Sequence, residues 1–299
     1  MNYQTPAAIE SAIKEAAKQS SLDTNRAIIL FWWDRFLARV FSESQTEFVL
    51  KGGVSLLARM STRYTKDIDL AADEQNIEKA QQRLCELASV DLDDFFHFEL
   101  ATVEDIKVED DYRDGKKLIF DVLIGRQKRG SFRVDLVVGC APVGQIEEVI
   151  PAHQLAIKGL SPTKYLLYPL VDTIADKVNA TMSAYPDGKP SSRVKDLVDL
   201  VLIVTTTSFL AAELHEALTS DALMRGLSTR TGFSIPVEWK EAPYLQAYLK
   251  LASEAELDSR WKDINMAELL IADMLSSILS SERRSGTWNS DCNSYCIKI

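Results

Sequence analysis

Cysteine and histidine are scarce in these 299 residues, with four cysteines (Cys85, Cys140, Cys292, Cys296) and three histidines (His97, His153, His215). Their scatter excludes a disulfide framework. It also excludes a closed zinc site, because Cys292-x3-Cys296 has neither a second pair nor histidines beside it. Reduced, unpaired thiols are expected. Long apolar runs are missing too: the stretch at residues 200–204 falls far short of the ~20 residues a bilayer span needs. The opening Met1-Asn2-Tyr3-Gln4-Thr5-Pro6 has no basic segment followed by an apolar one, so no secretory signal is expected. A cytoplasmic protein with no membrane association is the reading. Positive charge is in deficit, 34 basic against 44 acidic residues, for a formal net charge of −10. A protein that coats nucleic acid with its whole surface is thereby excluded. A local basic cleft is not, and the acidic balance would suit a basic protein partner.

What is present is an ordinary globular composition, 46% hydrophobic and 26% charged, without repeats or low-complexity blocks. At roughly 150 residues per domain, the length suggests two units. The first forty residues read as two helices, from Ile9, Ile13 and Ala16 and then from the apolar run at 27–33. An extended run, Phe48-Val49-Leu50, leads into Lys51-Gly52-Gly53 and a short helix over 54–60. Residues 64–72 alternate as a half-buried strand does, 74–87 read as helix, and 95–100, 118–124 and 132–138 as strands. Residues 126–130 look like a hairpin connection. After Pro151 the texture turns helical. Ser161-Pro162-Thr163 predicts one helix start, Ser191 or Ser192 can cap another, and the end from Ser281 reads as frayed. The expectation is an α+β chain, with a mixed α/β domain over 1–155 and a helical domain over 156–299.

The chemistry concentrates in two stretches, Lys51-Gly52-Gly53-Val54-Ser55 and Lys66-Asp67-Ile68-Asp69-Leu70. Two glycines between strand and helix permit close backbone approach and leave amides at a helix N-terminus, which attracts phosphate. Ser55 adds a hydroxyl there. Asp67 and Asp69 leave one face of a strand, and two adjacent carboxylates call for a cation such as Mg2+ bridging to a nucleotide's phosphates. Asp135, in Phe132-Arg133-Val134-Asp135-Leu136, would complete a metal triad if its strand neighbours the first. Taken singly, each of these features is an ordinary turn or solvated strand face; their order along the chain is what informs.

That order resembles the nucleotidyltransferase superfamily with the DNA polymerase β-like fold. Downstream, Asp172-Thr173-Ile174-Ala175-Asp176-Lys177 and Arg193-Val194-Lys195-Asp196-Leu197-Val198-Asp199 narrow the resemblance to AbiEii/AbiGii-type toxins, which include the MenT-like tRNA-modifying toxins. It covers roughly residues 45 to 205. The resemblance implies that Asp67 and Asp69 are metal ligands and that Gly52, Gly53 and Ser55 hold the triphosphate. It further implies that Lys177 neutralises developing phosphate charge and that Asp196 is an essential carboxylate. Lys66 and Arg193 join the nucleotide-binding set, and either Asp135 or Asp196 supplies the third acidic function. Asp176 could equally be the structural partner of Lys177. On helical spacing Lys177 lies off the apolar stripe, free to reach a cleft, while Arg193, Asp196 and Asp199 share one polar face.

The implied activity is Mg2+-dependent transfer of nucleotides from an NTP to the 3′ end of a tRNA, blocking translation, by a toxin with a cognate antitoxin. For tRNA the candidate basic residues are Lys51, Arg59, Arg63, Lys66, Lys177, Lys189, Arg193 and Lys195, with Arg126, Lys128 and Arg129 as a possible extension. The alternative is nucleotidylation or phosphorylation of a protein Ser, Thr or Tyr, for which Thr65 is a candidate internal acceptor.

Overall fold

The structure, a computed structural model, describes residues 3–43, 46–60, 65–106, 114–151, 154–183, 188–228, 232–279 and 286–296. Contacts divide the chain into two units. The first holds the described residues up to 60, with 65–141 and 146–168; the second holds 142–145 and everything described from Pro169 onward.

The first unit begins with two helices, α1 (Pro6–Gln19) and α2 (Thr24–Val40), capped by the side chains of Thr5 and Asp23. Strand β1 (Phe48–Lys51) runs into α3 (Gly52–Met60), and β2 (Asp67–Ala72) is followed by α4 (Ile77–Ala88). A meander of β3 (Phe96–Ile106), β4 (Gly115–Ile124) and β5 (Gln127–Val137) comes next, then β6 (Glu147–Val149) and β7 (Tyr165–Leu167). The seven strands form one mixed sheet in the order β3-β4-β5-β2-β1-β7-β6. Strand β2 is antiparallel to β1 and parallel to β5, and β1 is parallel to β7.

Alternation assigns the two sheet faces. Leu50, Ile68, Leu70, Leu118, Phe120, Val134 and Leu136 enter a core shared with Ile9, Ile13, Phe36, Leu37, Val54, Leu57 and Leu84 of the four helices. The residues alternating with them along each strand point to the opposite face and include the charged residues considered below.

Two expectations change here. Ser161-Pro162-Thr163 does not start a helix: the chain continues to β7, which pairs with the β1 edge, and the helix begins only at Leu170 behind Pro169. A free sheet edge outcompetes a local helix signal. Nor do residues 127–130 form a loop; they extend β5, and the hairpin turn shrinks to 125–126.

Under α2 lies a buried charged network. Asp94 receives Arg39 Nη2 at 2.7 Å and Arg35 Nη2 at 2.8 Å. Burial pushes the Asp94 carboxyl up, but the hydrogen bonds and charge of Arg39, with Arg35, outweigh it and hold the group below its ordinary value. Asp34, which accepts from Tyr165 Oη at 3.2 Å, ends the other way: burial outweighs Arg35 and raises it to about 6. In the unfolded chain an Asp titrates near its ordinary 3.8, so between these values the native state binds the extra proton and stability falls as pH rises. Comparison of urea unfolding from pH 4 to pH 7 should show wild type losing on the order of 1–3 kcal/mol more than Asp34→Asn. Parallel curves would remove Asp34 as the source.

The second unit is mostly helical: α5 (Leu170–Met182), α6 (Val194–Thr206), α7 (Ala211–Met224), α8 (Tyr244–Glu254) and α9 (Ile264–Leu279). Helix α6 follows no Ser side-chain cap. Ser191 instead accepts from the Arg193 amide in the turn just before it. Of the end expected to fray, residues 286–296 form a small β hairpin, while 281–285 and 297–299 lie outside the described residues. Strand β9 (Thr287–Asn289) is the centre of a small sheet, paired with β10 (Ser294–Cys296) on one side and with β8 (Phe209–Leu210) on the other. Trp288 anchors this small sheet, stacked on Phe209 and donating Nε1–H to the Val204 carbonyl at 2.8 Å. Among the described residues no helix is long and apolar enough to cross a membrane.

Candidate active site

Register builds the centre of the first unit. Because β2 and β5 pair in parallel, Asp67 lies opposite Arg133 and Asp69 opposite Asp135. The row through Asp69 continues on both sides: Lys51 on β1, Lys117 on β4 and Glu104 on β3. Directly opposed residues point to the same side of a sheet, so one line of five charged side chains crosses five strands. Lys117 Nζ reaches Glu104 at 3.1 Å. Lys51 is buried, its ammonium 4.3 Å from the centre of the Tyr168 ring and 3.9 Å from Cys140 Sγ.

The glycine turn belongs to the same place. Gly52 has φ +59°, a left-handed conformation, and a Cβ there would collide with the Asp69 carboxylate. The Gly53 amide donates to Asp69 Oδ2 at 3.3 Å, and a Cβ at Gly53 would stand 2.5 Å from Thr65 Oγ1. One of the amides expected for phosphate is thus turned to the acid. Thr65 is buried, with its hydroxyl 3.3 Å from Asp67 Oδ1. Ser55 departs from its expected exposure at the turn. It is fully buried, its Oγ accepting from Arg59 Nη1 one helical turn on, because helix phase points position four of α3 inward. Arg59 also meets Glu147 at 2.9 Å and the Tyr168 carbonyl at 2.8 Å. Lys66 is exposed beside Asp67.

Asp135 does neighbour the first acid strand, but a residue the sequence reading passed over sits with it. Arg133 Nη2 bonds Asp67 Oδ2 and lies 2.9 Å from Asp135 Oδ2. An Arg-x-Asp alternation on a strand facing Asp-x-Asp was the available signal, since period two puts both on one side. Burial pushes the Asp135 carboxyl up; Arg133 opposes this and the Asp67 charge adds to it.

The second unit holds the other predicted residues, and here an expectation is corrected. Lys177 is not free to reach out. It is buried, with Nζ 2.7 Å from Asp196 Oδ1 and 2.8 Å from Asp199 Oδ2. Helix α5 is buried around nearly its whole circumference, so a position off the apolar stripe still faces protein. Asp196 and Asp199, expected on a polar face, are buried with it, and Arg193 Nε lies 2.9 Å from Asp196 Oδ2. Burial works against ionisation of both Lys177 and Asp196. Their mutual attraction, with Asp199 and Arg193 assisting, prevails: the lysine is raised and the aspartate lowered. Asp176 pairs with Arg225 at 2.7 Å rather than with Lys177. The hairpin cations are also engaged, Lys128 with Asp121 at 2.6 Å and Arg129 with Glu10 at 2.5 Å. Lys189 and Lys195 are exposed, and Arg63 lies outside the described residues.

Acids beside a left-handed glycine turn and a helix N-terminus make a centre suited to nucleotide phosphates, and the class it defines is a nucleotidyltransferase. The family model described as "Nucleotidyl transferase AbiEii toxin, Type IV TA system" matches residues 35–288, and the chain belongs to that family. Membership brings an NTP substrate and an antitoxin partner. Among solved structures the chain resembles MenT4, a nucleotidyltransferase toxin of Mycobacterium tuberculosis, with 16% identity, 94% of this chain and 100% of that one covered, and a TM-score of 0.51. It also resembles JHP933 from Helicobacter pylori, with 16% identity, 79% and 92% covered, and a TM-score of 0.37. These likenesses concern the fold. No curated protein sequence matches the chain.

Nucleotidyltransferases use a divalent cation with the NTP. Among the described residues no three His, Cys, Asp or Glu side chains form a ready cage. The donor chemistry nevertheless fits a hard cation: Asp67 and Asp135 converge on one point, and the buried Asp135 Oδ1 has no hydrogen-bond partner. The positive group now at that point is the Arg133 guanidinium.

Proposed function

We propose that the chain is a cytoplasmic Mg2+-dependent toxin with a DNA polymerase β-like core, transferring nucleotides from an NTP to the 3′ end of tRNA and so blocking translation. The observation that carries this is the opposition of Asp69 and Asp135 across parallel strands, with Asp69 held by the glycine turn. In this reading Asp67 and Asp69, with Asp135, hold Mg2+, which when bound offsets triphosphate charge and orients the α-phosphoryl group. Gly52, Gly53, Lys66 and Arg193 bind the nucleotide. Ser55, buried under Arg59, supports the turn from behind. Lys177 and Asp196 act in catalysis as an already ionised, fixed pair, which supplies charge without reorganising during the reaction.

Purified protein incubated with total tRNA and each labelled NTP, with and without Mg2+, should label tRNA only when the metal is present. Asp69→Asn should lower that labelling by roughly a hundred- to a thousandfold, as loss of one preorganised charge-stabilising group does. Labelling of RNA by Asp69→Asn at the wild-type rate would refute the assignment. The Thr65 hydroxyl beside Asp67 favours a second reading, modification of a protein Ser, Thr or Tyr. Mass spectrometry of the same reactions separates the two.

A further inference from the structure

Lys177 and Arg133 each meet a pair of carboxylates, and their settings differ. Lys177 is enclosed, with each contact at ordinary length to a different acid. Arg133 is the more exposed of the two. Its side chain is 38% exposed, it meets Asp67 and Asp135 through the same nitrogen, Nη2, and its buried Nε has no hydrogen-bond partner. A guanidinium that grips carboxylates well does so with a two-nitrogen fork, which this one does not form with either acid. Partly exposed pairs of this kind contribute less than enclosed ones such as that of Lys177. Asp135 Oδ1 is buried and unpartnered meanwhile, so the arginine leaves part of the acid charge unmatched.

The geometry points to Arg133 as a displaceable counter-ion of the acid pair. It occupies the point on which Asp67 and Asp135 converge, so a divalent cation and the guanidinium exclude one another. In the metal-free protein Arg133 balances two carboxylates that would otherwise repel. On cation entry it swings toward solvent, where its exposed side already lies. The inference rests on the proposed function in taking these acids as the metal site, and it makes Arg133 a positioning residue that sets the metal threshold.

The test uses Mn2+ as probe and the full-length protein. Free Mn2+ measured by electron paramagnetic resonance should give Arg133→Gln an affinity about three- to tenfold tighter than wild type, the scale set by losing two partly exposed ion pairs. Asp67→Asn combined with Arg133→Gln should lose the gain. On the unmutated protein, the yield of phenylglyoxal adduct at Arg133, read by mass spectrometry, should rise when Mn2+ is added. Equal Mn2+ affinities for wild type and Arg133→Gln, or an adduct yield that Mn2+ leaves unchanged or lowers, would overturn the counter-ion role and leave the metal site standing. Failure of both proteins to bind Mn2+ would overturn the metal assignment itself and the inference with it.

Discussion

Replacing Lys177 with methionine will destabilise the helical unit by about 3–5 kcal/mol, the cost of leaving buried charge without its partner. Asp196 and Asp199 are at most 1% exposed and both converge on the Lys177 ammonium. Methionine fills the volume but supplies no charge in place of the ammonium that both acids meet. Urea unfolding followed by tryptophan fluorescence measures the loss, since Trp239, Trp261 and Trp288 are all buried in this unit. The pH response should change sign. In wild type Asp196 is held below its ordinary value, so its contribution is present above that value and lost as pH falls through the depressed one. In the variant the stranded acids prefer their proton, and stability should rise on acidification. Adding Asp196→Asn and Asp199→Asn should restore much of the stability without restoring transfer. A single-variant loss below about 1 kcal/mol would mean that the cluster is hydrated and ordinary.

Gly52→Ala should separate folding from chemistry. The left-handed backbone will cost roughly 1–2 kcal/mol, which a unit with this core can absorb. The new methyl group meets the Asp69 carboxylate, however, and must drive it from its place beside the Gly53 amide. A displacement of about an ångström at a reacting centre is enough for a hundredfold loss of transfer. Gly53→Ala is the control, since its Cβ would press on Thr65 rather than on an acid, and its loss of transfer should be smaller. Equal transfer rates for Gly52→Ala and wild type would show that Asp69 can move without consequence.

Much of this arrangement was legible in the residues. The glycine turn, the Asp-x-Asp strand and the apolar-Asp-apolar strand follow from local periodicity, and β2 and β5 do bring Asp69 and Asp135 together. What could not be read was decided at longer range. Strand β7 forms because β1 offers an edge, although its own sequence carries a helix signal. Lys177 looked free because periodicity describes one helix at a time, and α5 is covered on several sides. Arg133 was overlooked because its meaning depends on Asp67, 66 positions away and opposite it across the strand pair. The ordered C-terminal hairpin depends on Trp288 finding Phe209 and Val204, contacts that a polar-rich tail does not advertise.

The parallel pairing of β2 with β5 also limits how this protein can vary in length. Loss or gain of one residue between Gln127 and Arg133 that shifted the strand would turn Arg133 and Asp135 into the hydrocarbon interior and thrust Val134 and Leu136 among the acids. Changes of two residues preserve the side each chain element shows. Descendants of this sequence should therefore differ in that segment by even steps, or absorb an odd step where the ladder is already out of phase, between Val122 and Leu123.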